Sequence, residues 1–396
     1  MPPKNMREPD PRQLLVDAFG DRGEIHEVRA PGRVNLIGEH IDYHGLPVLP
    51  VALSRRVRIA FRARNDEQIR AVSSGFGRRE FHWHRGLDRV PGGDWENYLR
   101  AACEAVAGKW GTGTGVDTAM VSDLPAAAGL SSSSAVIVAF TLALLKASGR
   151  AARFEELMQI LPDGEQFVGT RGGGMDHAAS LASVAGCASL IEFDPLSLRP
   201  VKIPDGWRFL AAHSLTTAEK SGSARDQYNL RRGAGSTALK RLGFDSYRSA
   251  LHDLSAVELK ELAQQRLETT EEQDSFLHVT SEALRVRSAV AAMEGADAEA
   301  FGGTLLESHA SLRDRLKVSS AALDRLVETA MQCGAVGARL TGAGFGGCVV
   351  CFALAPDVPR LRRGLIEKFY AGRPEFDEEM HLIDVEPADG ALAGLS

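Results

Sequence analysis

A short run of glycine, leucine and serine, Gly129-Leu-Ser-Ser-Ser-Ser134, constrains this chain more than any other feature. It lies between a β-rich segment, Val116–Val121, and an Ala- and Leu-rich segment of helical length, Ala135–Leu145. The order predicts a turn that opens a helix, where unpaired N–H groups and the helix dipole attract anions. One serine would be explained as a helix cap. Four serines behind a glycine exceed what capping needs and indicate a phosphate-binding turn.

Length and composition bound the fold and the class of partner. A chain of 396 residues is too long for one ordinary core, so we expect one domain over residues 1–204 and a second over 205–396. The boundary is placed at the end of the proline-containing, basic segment Pro195–Pro204. Strands and helices mix without strict alternation, which favours an α+β fold.

Charge and hydropathy exclude several classes of protein. The net charge of −6 argues against a nucleic-acid binder, and no apolar run approaches membrane-spanning length. The polar segment Met1–Pro11 has no signal-peptide core. The sequence therefore predicts a cytoplasmic protein with no nucleic-acid or membrane partner, and we expect a monomer.

Local patterns predict further elements. Helices are predicted over Arg12–Phe19, Trp95–Ala107, Phe154–Leu161, most of Leu254–Val327 with breaks near Gly295 and Gly302, and Val358–Tyr370. Strands are predicted over His26–Ala30, Val48–Ala60, Ala188–Phe193, Trp207–Ser214 and Met380–Val385. Cys348 and Cys351 lie in an apolar, strand-like run, so we expect buried core thiols and no redox pair.

A polar loop, Gly32–Gly45, places six ionisable side chains beside three glycines between two apolar segments. Because His40, Asp42 and His44 alternate, a metal site is one interpretation, but zinc would need further ligands that nothing nearby supplies. Carboxylates and imidazoles that hold the hydroxyls of a sugar explain the loop better. A solvated loop would not explain so many polar residues between two strand-like segments.

Two further glycine runs leave alternatives open. Gly342–Gly347 matches Gly-x-Gly-x-x-Gly, but a strand-like run follows where a dinucleotide site needs a helix. A glycine loop beside nucleotide phosphates and a simple tight turn are equally compatible with it. Asp176 follows Gly172-Gly-Gly and could be a general base, although from this residue alone a helix cap for Ala178–Ala182 is favoured.

Taken together, these segments resemble the galactokinase branch of the GHMP small-molecule kinases. The resemblance rests on Arg33–Gly45, Pro125–Ala135 and Gly337–Cys348, in the family's order, and on Trp95–Tyr98 and Tyr228–Arg232. Within the family, four segments are more similar to N-acetylgalactosamine kinases than to ordinary galactokinases: Ser131–Ser134, His40–Tyr43, Gly172–Asp176 and Leu190–Leu196. Differences from ordinary galactokinases are found at Ile41, His44, Leu46, Ala127 and His177.

The resemblance implies a two-lobed GHMP kinase fold with the active site in the cleft between the N- and C-terminal domains. It implies phosphorylation of a galactose-type sugar at the anomeric C1 hydroxyl, with ATP and Mg²⁺. A sugar- and ATP-binding sensor without catalysis is the alternative, and losses in the serine run or at Asp176 would favour it. A mevalonate or homoserine kinase is disfavoured, because those substrates have no ring of hydroxyls for Glu39–Tyr43 to hold.

The resemblance also implies roles for individual residues. Asp176 would be the base and Arg33 would keep it ionised. The ATP site would comprise Gly129, Leu130, Ser131, Ser132, Ser133, Ser134, Trp95 and Gly344. The sugar site would comprise Glu39, His40, Asp42, Gly174, Asp176 and Tyr228. Ser132 and Glu165 would hold Mg²⁺.

Overall fold

Two sheets, one from each half of the chain, contain most strands of the computed structural model, which describes residues 9–125, 129–169, 172–216 and 223–394. The strands of the first sheet are β1 (His26–Asn35), β2 (Pro50–Ala63), β3 (Gln68–Ser73), β4 (Gly77–His82) and β5 (Val116–Ser122). Their order is β1-β2-β5-β3-β4, and neighbours run antiparallel except β3 and β5. The loop between β1 and β2 contains three of the predicted sugar-binding residues, Glu39, His40 and Asp42.

The chain then forms a hairpin and enters the second sheet. The remaining strands are β6 (Cys187–Phe193), β7 (Leu196–Lys202), β8 (Trp207–His213), β9 (Gly337–Thr341), β10 (Cys348–Leu354) and β11 (Leu382–Val385). β6 pairs with β7, while the second sheet is antiparallel in the order β11-β8-β10-β9. The segment Pro195–Pro204 is therefore mainly a strand. The domain boundary at 204 stays a prediction.

Five helices accompany the first sheet. They are α1 (Pro11–Phe19), α2 (Glu96–Trp110), α3 (Ser132–Ala147), α4 (Phe154–Phe167) and α5 (Met175–Ala182). α3 is apolar around almost its whole circumference, so it lies buried against β1, β2 and α2. Its first turn contains Ser132, Ser133 and Ser134.

The second half is mainly helical. Its helices are α6 (Ser223–Arg241), α7 (Tyr247–Asp253), α8 (Ala256–Arg266), α9 (Thr270–Glu294), α10 (Ala298–Asp314), α11 (Ala321–Gln332), α12 (Val358–Leu365) and α13 (Glu378–His381). A π-helical turn, Ile366–Tyr370, continues α12, and 3₁₀ turns occur at Asp42–His44, Pro91–Gly93, Ala355–Asp357 and Ala391–Gly394. Within the described residues, no helix is both long and apolar enough to cross a membrane.

Two large hydrophobic cores, beside a small third one at Leu15, support this arrangement in the described part of the chain. One joins the first sheet to α3 and to α9, so it contains residues from both halves of the chain. The other lies between the second sheet and α11 and α12. The α+β class is confirmed, and so are the predicted elements, with boundaries that differ by a few residues.

Two local predictions need correction. The predicted break near Gly302 is wrong, because this residue lies inside α10. A Cβ atom there would lie 2.4 Å from the carbonyl oxygen of Val336, so glycine allows α10 to pack closely on the approach to β9. The predicted strand over Met380–Val385 begins only at Leu382, since α13 occupies the residues before it.

The two thiols of the Cys-x-x-Cys run are free and buried in β10, as predicted. Burial raises the pKa of Cys348 above its usual range and that of Cys351 to about 12. Neither thiol is ionised near neutral pH, which is unfavourable for redox chemistry.

Candidate active site

Asp176 and Arg33 form the centre of the site. The Arg33 Nη2 and Nε atoms lie 2.6 and 2.7 Å from Asp176 Oδ1, and Nη1 donates to the Gly129 carbonyl at 2.7 Å. Burial would raise the pKa of Asp176, but the Arg33 charge and the Ser131 hydroxyl outweigh it and hold that pKa below its usual range. The carboxylate is thus ionised at neutral pH and 23% of its side-chain surface stays exposed.

The serine turn contacts carboxylates instead of capping its own helix. Ser131 has φ of 58°, and its hydroxyl donates to Asp176 Oδ2 at 2.6 Å. Ser134 is fully buried and donates to Glu165 Oε1 at 2.5 Å, with Asp176 Oδ2 at 3.4 Å. Ser132 and Ser133 lie half-buried in the first turn of α3. The backbone N–H groups of this turn are therefore left without a side-chain cap, as an anion site requires.

The third glycine run along the chain, Gly342–Gly347, contacts the serine turn. A Cβ atom on Gly342 would lie 3.1 Å from the Gly129 carbonyl oxygen, so the two backbones are in close contact. Gly344 packs against Val318, and β10 follows the run directly. Because no helix opens at this run, it is not a dinucleotide fingerprint. It lies beside the serine turn, and a role for it next to nucleotide phosphates stays a prediction.

Asp176 does not cap α5. The N-cap is Gly174, with φ of 104°, and Asp176 lies in the first turn. The preceding Gly173 donates its N–H to Asp42 Oδ2 at 3.0 Å, and a Cβ atom there would lie 2.3 Å from the Asp42 backbone. Glycine at this position brings the polar loop against the segment that carries Asp176.

Aromatic rings from both halves of the chain close the other side of the polar loop. The His40 ring lies 5.1 Å from that of Tyr228, and its Nδ1 is 2.9 Å from the Tyr43 hydroxyl. His44 packs against Tyr247 with ring centroids 4.8 Å apart. His40, Asp42 and His44 therefore do not form a metal site, and no cluster of three or more potential ligands occurs in the described part of the chain.

Burial shifts the pKa values of titrating groups in the polar loop. It raises the pKa of Asp42 to about 6, helped by the negative charge of Asp176, and lowers that of His40 to about 3. At neutral pH the loop thus presents a carboxylate and a neutral imidazole. The carboxylate can accept hydrogen bonds from adjacent hydroxyl groups, whereas the two ring nitrogens of His40 already bond the Tyr43 hydroxyl and the Ala343 carbonyl oxygen.

Three segments match models of known families. Residues 14–63 match the galactokinase galactose-binding signature, 97–183 the N-terminal domain of GHMP kinases, and 289–371 the C-terminal domain. Galactokinase from Roseiflexus sp. (strain RS-1) is 35% identical over 367 residues, which cover 90% of this chain and 91% of the relative. Galactokinase from Streptomyces coelicolor is 35% identical over 349 residues, with coverages of 86% and 88%.

The chain belongs to the galactokinase family of GHMP kinases. It is a sugar kinase, a transferase that uses ATP. Galactokinase from Lactococcus lactis, solved in complex with galactose, has a TM-score of 0.85 at 26% identity and covers 96% of this chain and 97% of its own. Mevalonate kinase from Methanococcus jannaschii, at 16% identity, TM-score 0.61 and coverages of 93% and 100%, shares the fold.

Glu39, which the galactokinase resemblance assigns to the sugar, is 1% exposed. Its Oε1 accepts the Gly342 N–H at 2.5 Å and lies 3.7 Å from Nη2 of the fully buried Arg339, while Asn35 donates to Oε2. Burial raises the pKa of Glu39, and Arg339 and Arg33 oppose that shift. Glu39 thus links the polar loop to the third glycine run, and its sugar-binding role stays a prediction.

Two other assigned residues lie in less direct positions. The Trp95 indole donates to the Phe76 carbonyl at 3.1 Å and has the Arg79 guanidinium 5.7 Å from its ring. These contacts are with the β3–β4 turn and not with the carboxylates. Gly174 packs against Met158 and Pro162. Roles for both residues stay predictions, and Ala127 lies outside the described residues.

Sequence reasoning missed two contacts and one buried side chain of this galactokinase-type site. It overlooked the Ser134–Glu165 hydrogen bond, the Gly173–Asp42 hydrogen bond and the fully buried Arg339. Isolated polar residues within helices and strands give no local signal, because their partners are distant in the chain. Tyr228 was assigned to the sugar only by the resemblance, and its ring centroid lies 5.6 Å from that of Tyr43.

Proposed function

We propose that this chain transfers the γ-phosphoryl group of ATP to the anomeric C1 hydroxyl of a galactose-type sugar, giving sugar 1-phosphate and ADP. The observation that carries the proposal is the contact of one carboxylate, Asp176, with Arg33 and with the serine turn. Phosphoryl transfer depends mainly on positioning and electrostatics, so a base, a guanidinium and a backbone cradle suffice.

In this mechanism Asp176 accepts the proton of the C1 hydroxyl as the sugar oxygen bonds to the γ-phosphorus. The bond from that phosphorus to the β,γ-bridging oxygen breaks, and ADP leaves with the electron pair. Arg33 keeps Asp176 ionised and stabilises negative charge on the transferred group. The depressed pKa of Asp176 supports the first role.

The triphosphate would lie over the start of α3. Gly129 to Ser134 supply backbone N–H groups and hydroxyls there, and Gly344 lies on the neighbouring glycine run. Trp95 would contact the adenine. The shared GHMP fold supports this arrangement, since both of its domain models match the chain.

Mg²⁺ would be held by Glu165 and a serine of the turn, with Ser132 the one assigned from the sequence. The donors fit, because Mg²⁺ prefers oxygen ligands and takes its remaining ones from phosphates and water. The Ser134–Glu165 hydrogen bond makes Ser134 a second candidate. Bound Mg²⁺ supplies neutralisation of charge on the β- and γ-phosphates.

The sugar would lie against the polar loop, with Asp42, His40 and Tyr228 in contact with its hydroxyls and with Glu39 and Gly174 behind them. The galactose-binding signature over residues 14–63 and the galactose bound to the Lactococcus lactis relative support a galactose-type ring. Galactose and N-acetylgalactosamine are both candidate substrates. The residues that are more similar to N-acetylgalactosamine kinases lie in the same segments that make the chain similar to galactokinases. A monomer of two domains meeting near residue 204 completes the proposal.

A hexose panel tests this function. The protein is incubated with ATP, Mg²⁺ and galactose, N-acetylgalactosamine, glucose or mannose, and ADP release and the phosphorus-to-C1 coupling of the product are measured. We expect turnover with galactose or N-acetylgalactosamine and a 1-phosphate product. A 6-phosphate product would contradict the assignment. If no hexose causes ADP release although the sugar still binds, the result would favour a sensor.

A further inference from the structure

Two buried polar side chains on α9 hold the backbone of the polar loop. Glu282 Oε1 accepts the Gly38 N–H at 3.0 Å, and His278 Nε2 donates to the Glu39 carbonyl at 3.0 Å. Both side chains are 0% exposed. Because they are four residues apart on one helix, they face the same side and bind the two peptide groups that flank the Gly38–Glu39 peptide bond.

Each of these side chains is in turn oriented by a serine of α10. Ser308 donates to Glu282 Oε1 at 2.6 Å, and the Ser311 hydroxyl lies 2.9 Å from His278 Nδ1. Since Nε2 of His278 donates to a carbonyl, a neutral ring leaves Nδ1 as the acceptor for Ser311. Burial lowers the pKa of His278 to about 4, consistent with a neutral ring. The other Glu282 oxygen pairs with Arg285 at 2.7 Å.

The segment that is held contains one residue, His40, in an unfavourable backbone conformation. Gly38 has φ of 103°, and a Cβ atom there would lie 3.0 Å from both Val48 and Val286. His40, a residue with a side chain, has φ of 61°. Left-handed conformations of this kind persist only where surrounding contacts hold them. Glu282 binds the peptide group that precedes Gly38, and His278 binds the peptide group that joins Glu39 to His40.

We propose that Glu282 and His278 are positioning residues that fix the backbone of Gly38–His40 in the conformation that binds the sugar. They act through the loop and touch neither the sugar nor ATP. The inference rests on the proposed function, because it takes the polar loop as the sugar site. It assigns to α9 a part in sugar affinity that the family motifs near the loop do not contain.

Two substitutions at Glu282 separate positioning from stability. Glu282→Ala removes the acceptor for Gly38 and also the partner of Arg285. Glu282→Gln keeps Oε1 as an acceptor for Gly38 but loses the charge that pairs with Arg285. Both variants should therefore have a lower Tm than the wild type. Only the alanine variant should lose the hydrogen bond to the Gly38 N–H. Glu272→Ala is the matched control, since Glu272 is a buried carboxylate of α9 whose partner is Arg241 on α6.

Steady-state kinetics are measured well below each Tm. We expect Glu282→Ala to raise the galactose KM about tenfold or more with the ATP KM within about twofold, and Glu282→Gln and Glu272→Ala to keep both values near the wild type. Equal galactose KM values in the alanine and wild-type proteins would overturn the proposal. A galactose KM that rises as much in the glutamine variant as in the alanine variant would also overturn the proposal. The loss of sugar affinity would then accompany the loss of stability and not the loss of the contact with Gly38.

Two additions keep the test decisive. His278→Ala removes the other contact and should raise the galactose KM in the same way, so the test does not depend on the folding of Glu282→Ala. Amide hydrogen exchange of peptides covering residues 36–46 should be faster in both alanine variants than in Glu282→Gln. If the wild-type protein phosphorylates no hexose, the proposed function fails alone, and unchanged exchange in the alanine variants would overturn this inference separately.

Discussion

The Arg33 guanidinium joins Asp176 to the backbone of Gly129, with Nη2 2.6 Å from the carboxylate and Nη1 2.7 Å from the carbonyl. Arg33 lies on β1, Asp176 on α5 and Gly129 at the turn before α3. One side chain thus holds the proposed base and the proposed phosphate turn at a fixed separation. Because the guanidinium is planar with donors at fixed angles, it constrains orientation as well as distance.

Replacing the proposed base is expected to remove turnover and spare nucleotide binding. Asp176→Asn keeps the size of the side chain but cannot accept the sugar proton, so kcat should fall about 10²–10⁴-fold. The ATP Kd, measured by calorimetry, should stay within about threefold of the wild type. Asp163→Asn, at an exposed position of α4, is the control. Retained turnover in Asp176→Asn would remove this residue from the role of base.

Neutralising Arg33 is expected to change the pH dependence of the rate. With Arg33→Gln, burial of Asp176 is no longer outweighed by a positive charge, so the pKa of that carboxyl rises. The acidic limb of the kcat–pH profile should therefore move to higher pH, and kcat should fall about 10²-fold or more. Arg29→Gln, on the exposed side of β1, should leave the profile unchanged. An unshifted limb in Arg33→Gln would contradict the electrostatic role.

Sugar affinity is expected to weaken as pH falls through about 6. The pKa of Asp42 is raised to about 6 by burial and by Asp176, so acidification protonates a hydrogen-bond acceptor in the polar loop. The galactose Kd, measured by calorimetry without ATP between pH 5 and 7.5, should rise toward low pH. Asp42→Asn should bind more weakly throughout and lose this dependence. A wild-type Kd that is constant across the range would show that Asp42 does not accept a hydrogen bond from the sugar.

Removing the buried carboxylate that links the two halves of the chain is expected to destabilise the fold. Glu39→Ala leaves Arg339 buried without its ion-pair partner, which should cost about 3–5 kcal/mol in the free energy of unfolding. Urea unfolding followed by circular dichroism measures the change. Glu80→Ala, which removes the exposed ion pair with Arg78, should cost less than about 1 kcal/mol.

The same Glu39 variant tests its assignment to the sugar. If Glu39 also contacts a hydroxyl group, the galactose KM should rise far more than the ATP KM at temperatures where the variant is folded. A larger effect on the ATP KM would instead make its contact with Gly342, beside the phosphate turn, the one that matters for activity.

The sequence by itself determined the local elements that bear the site. The serine run before the apolar helix α3, the polar loop between β1 and β2, and Asp176 beside flexible glycines were all identifiable, because each depends on neighbouring residues. The mixture of strands and helices then predicted the α+β class, and the family order of these segments implied the GHMP kinase fold. Where an isolated residue was ambiguous, as with Asp176 as a cap, local reasoning favoured the wrong alternative.

Only the tertiary structure decided which of these segments touch. Arg33 and Asp176 are separated by 143 residues, and Gly129 meets Gly342 across the two halves of the chain. The buried partners of the loop, Arg339, His278 and Glu282, come from the second half of the chain, and the last two lie in no motif. Hydrogen bonds and ion pairs act over a few ångströms whatever the separation in sequence, so packing of the complete core is what assigns each buried polar group its partner.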